Sequence, residues 1–217
     1  MKALLWILVA ALAASPASAA DEPIAGTYVA RMAETASALR LNPDGRFEWF
    51  FSQGALDLAG AGRWTRSGED RLLLTSDPPV VPPRTVFTGS GRDSEAGLLV
   101  SIVDAEGKPA GFLDVVAEHA TGEPSHGFAQ EGDHRFETEA GRPVKAVRVG
   151  SQVYDFVSEA FAVPPGDNVM RFRFEPNDVG KADFQAQEVM VAPRALSLVW
   201  KGLNLRYTLS DEREESD

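Results

Sequence analysis

The 217-residue chain sets 21 Lys and Arg against 32 Asp and Glu, a formal net charge of −11, and contains no cysteine. The acidic balance argues against nucleic acid, whose binding rests on neutralising phosphates with basic side chains, and against anionic membrane surfaces. The missing thiol excludes disulfides, cysteine-ligated zinc, thioether-linked haem, thiol nucleophiles and a cysteine-borne lipid anchor, and nothing in the composition asks for a cofactor.

Met1-Lys2 opens the chain, an unbroken apolar run follows from Ala3 to Ala14, and Ser15-Pro16-Ala17-Ser18-Ala19-Ala20 closes it. A basic start, a short apolar stretch and a small-x-small end make a secretory signal peptide, too short for a membrane span. Cleavage is expected after Ala19, with Ala20 as the alternative. The segment 1–19 carries one Lys and no acid, so its loss moves the net charge from −11 to −12. A soluble exported protein of the bacterial periplasm follows as the expectation.

Beyond Ala20 no long 3.6-residue apolar period occurs. Short alternating runs broken by Gly, Pro, Asn and Asp predict antiparallel β structure throughout. The clearest unit is Ala38 to Leu41, the turn Asn42-Pro43-Asp44-Gly45, and Arg46 to Phe51. Pro presets the turn and Gly takes the positive φ, so a hairpin is expected. Period two puts Phe47, Trp49 and Phe51 on one face and Phe50 on the other. A second hairpin joins Gly62 to Thr65 with Arg71 to Leu74. Asp77 to Pro83 holds four prolines in seven residues and predicts a stiff extended linker. Strands are expected again at Leu98 to Val103, Phe112 to Ala117, Pro143 to Val149, Met170 to Phe174 and Glu188 to Val191. A terminal hairpin is expected from Ala195 to Trp200 and Leu203 to Leu209. The acidic run Asp211 to Asp217 reads as a disordered tail. The expected organisation is therefore a signal peptide (1–19), a small hairpin-built β domain (21–76), a Pro-rich linker (77–83), a β-sandwich-like domain (84–210) and the tail (211–217).

Gly26-Thr27-Tyr28, the Leu-x-Leu-x-x-Asp-Gly-x-Phe of Leu39 to Phe47, Gly62-x-Trp64 and Leu72-x-Leu74 resemble the small barrel domains of exported bacterial proteins, of the lipocalin-like and copper-resistance-lipoprotein types. The resemblance implies a barrel. The cysteine pair of the copper lipoproteins is missing here, so metal sensing is not carried over. Val100 to Asp104, Gly107 to Gly111, Phe128 to Phe136 and Pro143 to Val149 resemble a carboxypeptidase-regulatory-like module of the transthyretin type, which implies a non-catalytic sandwich.

Three constellations carry candidate chemistry. His119, His126 and His134 fall close together, and His is the commonest metal ligand. Asp133 or Glu131 would complete a set. Their spacings of seven and eight residues match no local ligand motif, and His126 and His134 sit in Gly-rich sequence that reads as loop. The stripe Phe47, Trp49, Phe51, with Trp64 nearby, lines either a ligand cup or a plain core. Phe50, facing away from that stripe, marks a partner surface if it is exposed. Arg171 and Arg173 share one face of a strand, and with Arg206 they would make a basic stripe for an anion or an acidic partner. No Gly-x-Ser-x-Gly elbow or Ser-x-x-Lys motif is present, so enzyme activity is not expected. The sequence thus predicts an all-β, non-catalytic binding protein for an envelope partner. A lipocalin-like carrier of a small apolar ligand is the alternative, and a metal-dependent or carboxylate-based hydrolase stands third. An empty apolar barrel would favour the carrier, and a packed core beneath an exposed apolar patch would favour the partner.

Overall fold

The computed structural model describes residues 24–137 and 141–211. The expected signal peptide, and the tail after Asp211, lie outside the described residues. Five strands open the fold: β1 (Gly26–Met32), β2 (Thr35–Leu41), β3 (Arg46–Gln53), β4 (Leu56–Arg66) and β5 (Arg71–Ser76). Nine follow: β6 (Arg84–Gly91), β7 (Leu98–Val103), β8 (Leu113–His119), β9 (Ser125–Ala129), β10 (Asp133–Phe136), β11 (Val144–Ser151), β12 (Phe156–Val157), β13 (Phe161–Ala162) and β14 (Val169–Glu175). Three close it: β15 (Gln187–Ala192), β16 (Ala195–Trp200) and β17 (Leu203–Leu209).

The expected hairpins form where turn chemistry allows. Asn42 N–H donates to Arg46 O at 2.8 Å, and Gly45 turns the chain at φ 83°. Leu41 lands opposite Phe47, Leu39 opposite Trp49 and Ser37 opposite Phe51. At the terminal hairpin Lys201 and Gly202 both take positive φ, as a two-residue turn matched to strand twist demands.

The strands pair in an order the sequence reading did not foresee. A closed antiparallel barrel runs β1-β17-β16-β15-β5-β4-β3-β2. The last three strands, expected within a sandwich spanning 84–210, instead complete the barrel begun by β1 to β5. The intervening strands make a four-stranded sheet, β10-β7-β14-β6, and a second sheet, β12-β11-β8-β9, with β13 also on β11. Those two sheets share a core of Leu98, Val100, Ile102, Val115, Val147, Val149, Met170 and Phe172, so a sandwich is inserted between two halves of a barrel. The proline run is therefore the outgoing one of two connectors. The returning connector ties to it: Val81 N–H donates to Asp178 Oδ2 at 2.9 Å, and Asn177 Nδ2 donates to Pro82 O at 2.8 Å.

After Asp178 the returning chain runs beside β4. Ala59 N–H donates to Gly180 O at 2.9 Å and Ala182 N–H to Ala59 O at 2.7 Å. This contact carries Phe184 into the barrel. Its ring stands edge-on to Phe47 at 5.3 Å and to Trp49 at 5.2 Å, with Trp200 at 5.0 Å. Gly60 makes the approach possible, because a Cβ there would come within 2.5 Å of the ring. Ser76 fixes the backbone, accepting from Phe184 N–H at 2.8 Å while its own N–H donates to Phe184 O at 2.7 Å. Eight strands enclose a space just wide enough for side chains to fill, and Leu39, Leu72, Leu74, Val189, Leu198 and Leu205, none measurably exposed, fill the rest.

Truncating Phe184 removes a ring buried to 1 % exposure among three aromatic neighbours. Phe184→Ala should lower unfolding stability by about 3–5 kcal/mol, as Phe→Ala does in packed cores, read from the urea midpoint at unchanged m-value.

Candidate functional site

Alternation along β3 decides which side chains are available. Phe47, Trp49 and Phe51 point inward and are buried, with Trp49 stacked on Phe51 at 5.7 Å. Of the two roles open to the stripe, its side chains take the core one, packed with Phe184. Trp64 sits half-buried at the barrel rim, its Nε1 donating to Asn42 O at 3.0 Å.

A polar chain runs through this interior. Trp49 Nε1 donates to the Tyr207 hydroxyl at 2.8 Å, and that hydroxyl lies 2.9 Å from Ser37 Oγ. Ser37 Oγ donates onward to Phe50 O at 2.6 Å, so Tyr207 donates to Ser37. Each buried polar atom finds a partner, and the chain ends on the backbone of Phe50. Burial pushes the Tyr207 phenol above its ordinary value, and its hydrogen bonds to Ser37 and Trp49 only partly offset this.

Phe50 itself points outward and is 46 % exposed. The barrel is closed, so Phe50 stands mid-wall and not at a sheet edge. It lies between Ala38 and Ala59 in one cross-strand row, with Arg40, Glu48 and Ala61 in the row alongside. Small side chains on both neighbouring strands leave a shelf. The connectors supply the facing wall through Pro78, Val80, Asp178 and Lys181, closing a predominantly apolar cleft of about 470 Å³. Trp49 reaches its back where Gly60 leaves the wall thin. A second cleft of about 550 Å³ lies beyond the same connectors, over Leu56, Leu58, Tyr154, Phe156 and Trp200. The connector charges are matched. Lys181 donates to Asp178 at 2.7 Å and, with the Val81 N–H, holds that carboxyl below its usual range. Lys201 does the same to Asp155 at the rim of the second cleft.

The other sequence candidates do not converge. His119 closes β8, its ring bonded to Arg142 O at 3.0 Å and Ser125 Oγ at 2.7 Å. His126 and His134, expected in loops, lie in β9 and β10. His126 is exposed, whereas His134 packs edge-on to Phe136 at 4.6 Å beneath Gly127. Among the described residues no group of three His, Asp or Glu side chains is placed to hold a metal ion. Arg171 and Arg173 do share the outer face of β14, but Arg173 is bonded to Glu175 at 2.8 Å, and Arg206 stands on the barrel strand β17. The three arginines therefore form no common stripe. The proline run was legible as a linker, but its place in the cleft was not, and the returning segment Asp178 to Ala182 shows no periodicity that would mark it.

Tyr207→Phe leaves the Trp49 N–H without its acceptor and should cost about 1–3 kcal/mol near neutral pH. Because the folded state raises the phenol, its contribution to stability is constant below the ordinary value of about 10 and declines as pH rises above it. Urea unfolding across that range should show the decline in the parent protein and a flatter curve in Tyr207→Phe. Comparison of the chain with protein-family models, with curated proteins and with solved structures gives no match.

Proposed function

We propose that this chain is a non-catalytic binding protein of the bacterial envelope that seats an apolar segment of a protein partner in the cleft around Phe50. The observation that carries the reading is the division of apolar surface. The barrel interior is filled by Trp49, Phe51, Phe184 and Tyr207, while an apolar concavity is left outside, on the shelf of Ala38, Phe50, Ala59 and Ala61. Exposed concave apolar surface with a polar rim is what partner sites offer. The matched charges around it favour a neutral occupant. The exported location rests on the Met1 to Ala20 pattern.

A small apolar ligand is the second reading. A cleft of about 470 Å³ lies in the range of roughly 300–1,000 Å³ typical of small-molecule sites. The packed interior moves that reading from the barrel lumen, where a lipocalin-like carrier would hold its cargo, to the outer wall.

The test places a photoreactive phenylalanine analogue at position 50 of the full chain in its own cells, with the exposed Arg206 position as control. A single protein adduct at position 50, absent at position 206, is the expected result. The same adducts at both positions would sink the reading, and a small-molecule mass retained in native mass spectrometry would favour the second one. Phe50→Asp should abolish the adduct partner's co-purification while changing stability by no more than about 0.5 kcal/mol, as exposed positions usually do.

A further inference from the structure

The barrel is closed and has no edge, so among the described residues the open strand edges belong to the sandwich. One of them is unusual in its chemistry. Strand β6 has a single strand neighbour among the described residues, β14. Its sequence Arg84-Thr-Val-Phe-Thr-Gly-Ser-Gly91 is never fully buried. Register shifts between Arg171 opposite Gly89 and Phe172 opposite Phe87, leaving Thr88 as a bulge. The bulge resets alternation so that the β6 residues beside Arg171 on the outer face are Gly89 and Gly91.

Two glycines there leave the strand without side chains on this face. Arg171 lies across β6: a Cβ built on Gly91 would be 3.4 Å from Arg171 Nη1, while one on Gly89 would meet nothing within 4 Å. The guanidinium thus already reaches over the edge strand, and it has no ion pair or hydrogen bond among the described residues. Arg84, the first residue of β6, and Arg92, just past its end, likewise have no partner among the described residues, in a chain whose net charge is −11. Neighbouring strands lie about 4.8 Å apart, so a strand added beyond β6 would stand about two such spacings from β14. That is within reach of an extended arginine side chain.

We propose that the Gly89–Gly91 end of β6 is a docking edge for an extended acidic peptide, which pairs with the strand backbone and presents a carboxylate to Arg171. The main-chain ladder supplies affinity and the bidentate guanidinium–carboxylate pair supplies selectivity. The surface is separate from the Phe50 cleft and does not rest on it.

The probes are three labelled hexapeptides, read by fluorescence anisotropy with the full chain at low salt. One alternates Val and Glu, one alternates Val and Lys, and one carries the same Glu content with Pro in place of Val. The Val-Glu peptide should bind at least tenfold more tightly than either of the others. Arg171→Glu should abolish that preference and reverse it toward Val-Lys, with melting temperature held as the check on folding. Hydrogen exchange at residues 88–92 should slow when Val-Glu peptide is added. Equal binding of the Pro-containing peptide, an unchanged preference in Arg171→Glu, unprotected β6 amides, or no binding at millimolar peptide would each overturn the proposal. Concentration-dependent dimerisation that protects the same amides would also overturn it, in favour of a second copy of this chain at the edge.

Discussion

The placement of Phe184 is the constraint on which the rest depends. The chain leaves the barrel after β5, builds a sandwich and must come back in register to complete the wall. It does so by laying Gly180 to Ala182 beside β4 and driving one aromatic ring between Phe47, Trp49 and Trp200. Ser76, the last residue of β5, holds that ring's backbone at two points. The same contact therefore joins the two parts of the barrel, fills its lumen and fixes where the connectors run. Close packing of this sort occupies the lumen with the protein's own side chains.

With the interior filled, accessible concave apolar surface lies on the outer wall. The alternation that buries Trp49 exposes Phe50, and the connectors drawn in by Phe184 stand opposite it to make the cleft. The inner hydrogen-bond chain from Trp49 through Tyr207 and Ser37 ends on the Phe50 carbonyl. The exposed ring is thereby mounted on a backbone held from within, which limits the ordering cost of any binding there. The charges near the cleft, Asp178 with Lys181 and Asp155 with Lys201, satisfy one another.

Much of the local structure was legible because short-range chemistry determines it. Asn42 to Gly45 dictates its turn, and period two along Phe47 to Phe51 sorts core from surface without reference to the rest of the chain. The all-β class, the barrel character of the first half and the terminal hairpin follow from the same signals. Closure was not legible. The pairings β1–β17 and β5–β15 join residues far apart in sequence, and Leu72 and Val189 carry no mark that they face each other. Strand β6 was missed because Gly89 and Gly91 dilute the β signal, and β9 and β10 because Gly127 and Gly132 read as loop. Phe184 was missed because a lone aromatic in Ala182-Asp183-Phe184-Gln185 has no period to reveal its role. The cleft inherits that difficulty: Phe50 was visible from alternation, whereas Val80 and Lys181 become its neighbours only through tertiary folding.

The sandwich begins and ends at adjacent points. Arg84, its first strand residue, stands directly opposite Glu175, its last, across the β6–β14 ladder. Two ends one strand-spacing apart, about 5 Å, impose almost no geometric demand on the host. To the barrel the whole sandwich is equivalent to an enlarged turn between β5 and β15. A barrel of this kind can gain, lose or exchange such a cassette without altering its own closure, provided the short returning segment with Ala182 and Phe184 stays behind. The join lies at those two connectors, and the apolar cleft lies beside it. Variation in the inserted module would therefore change what faces Leu56 and Leu58 across the second cleft, through Tyr154 and Phe156, while leaving the neighbours of Phe50 and the barrel's packing untouched.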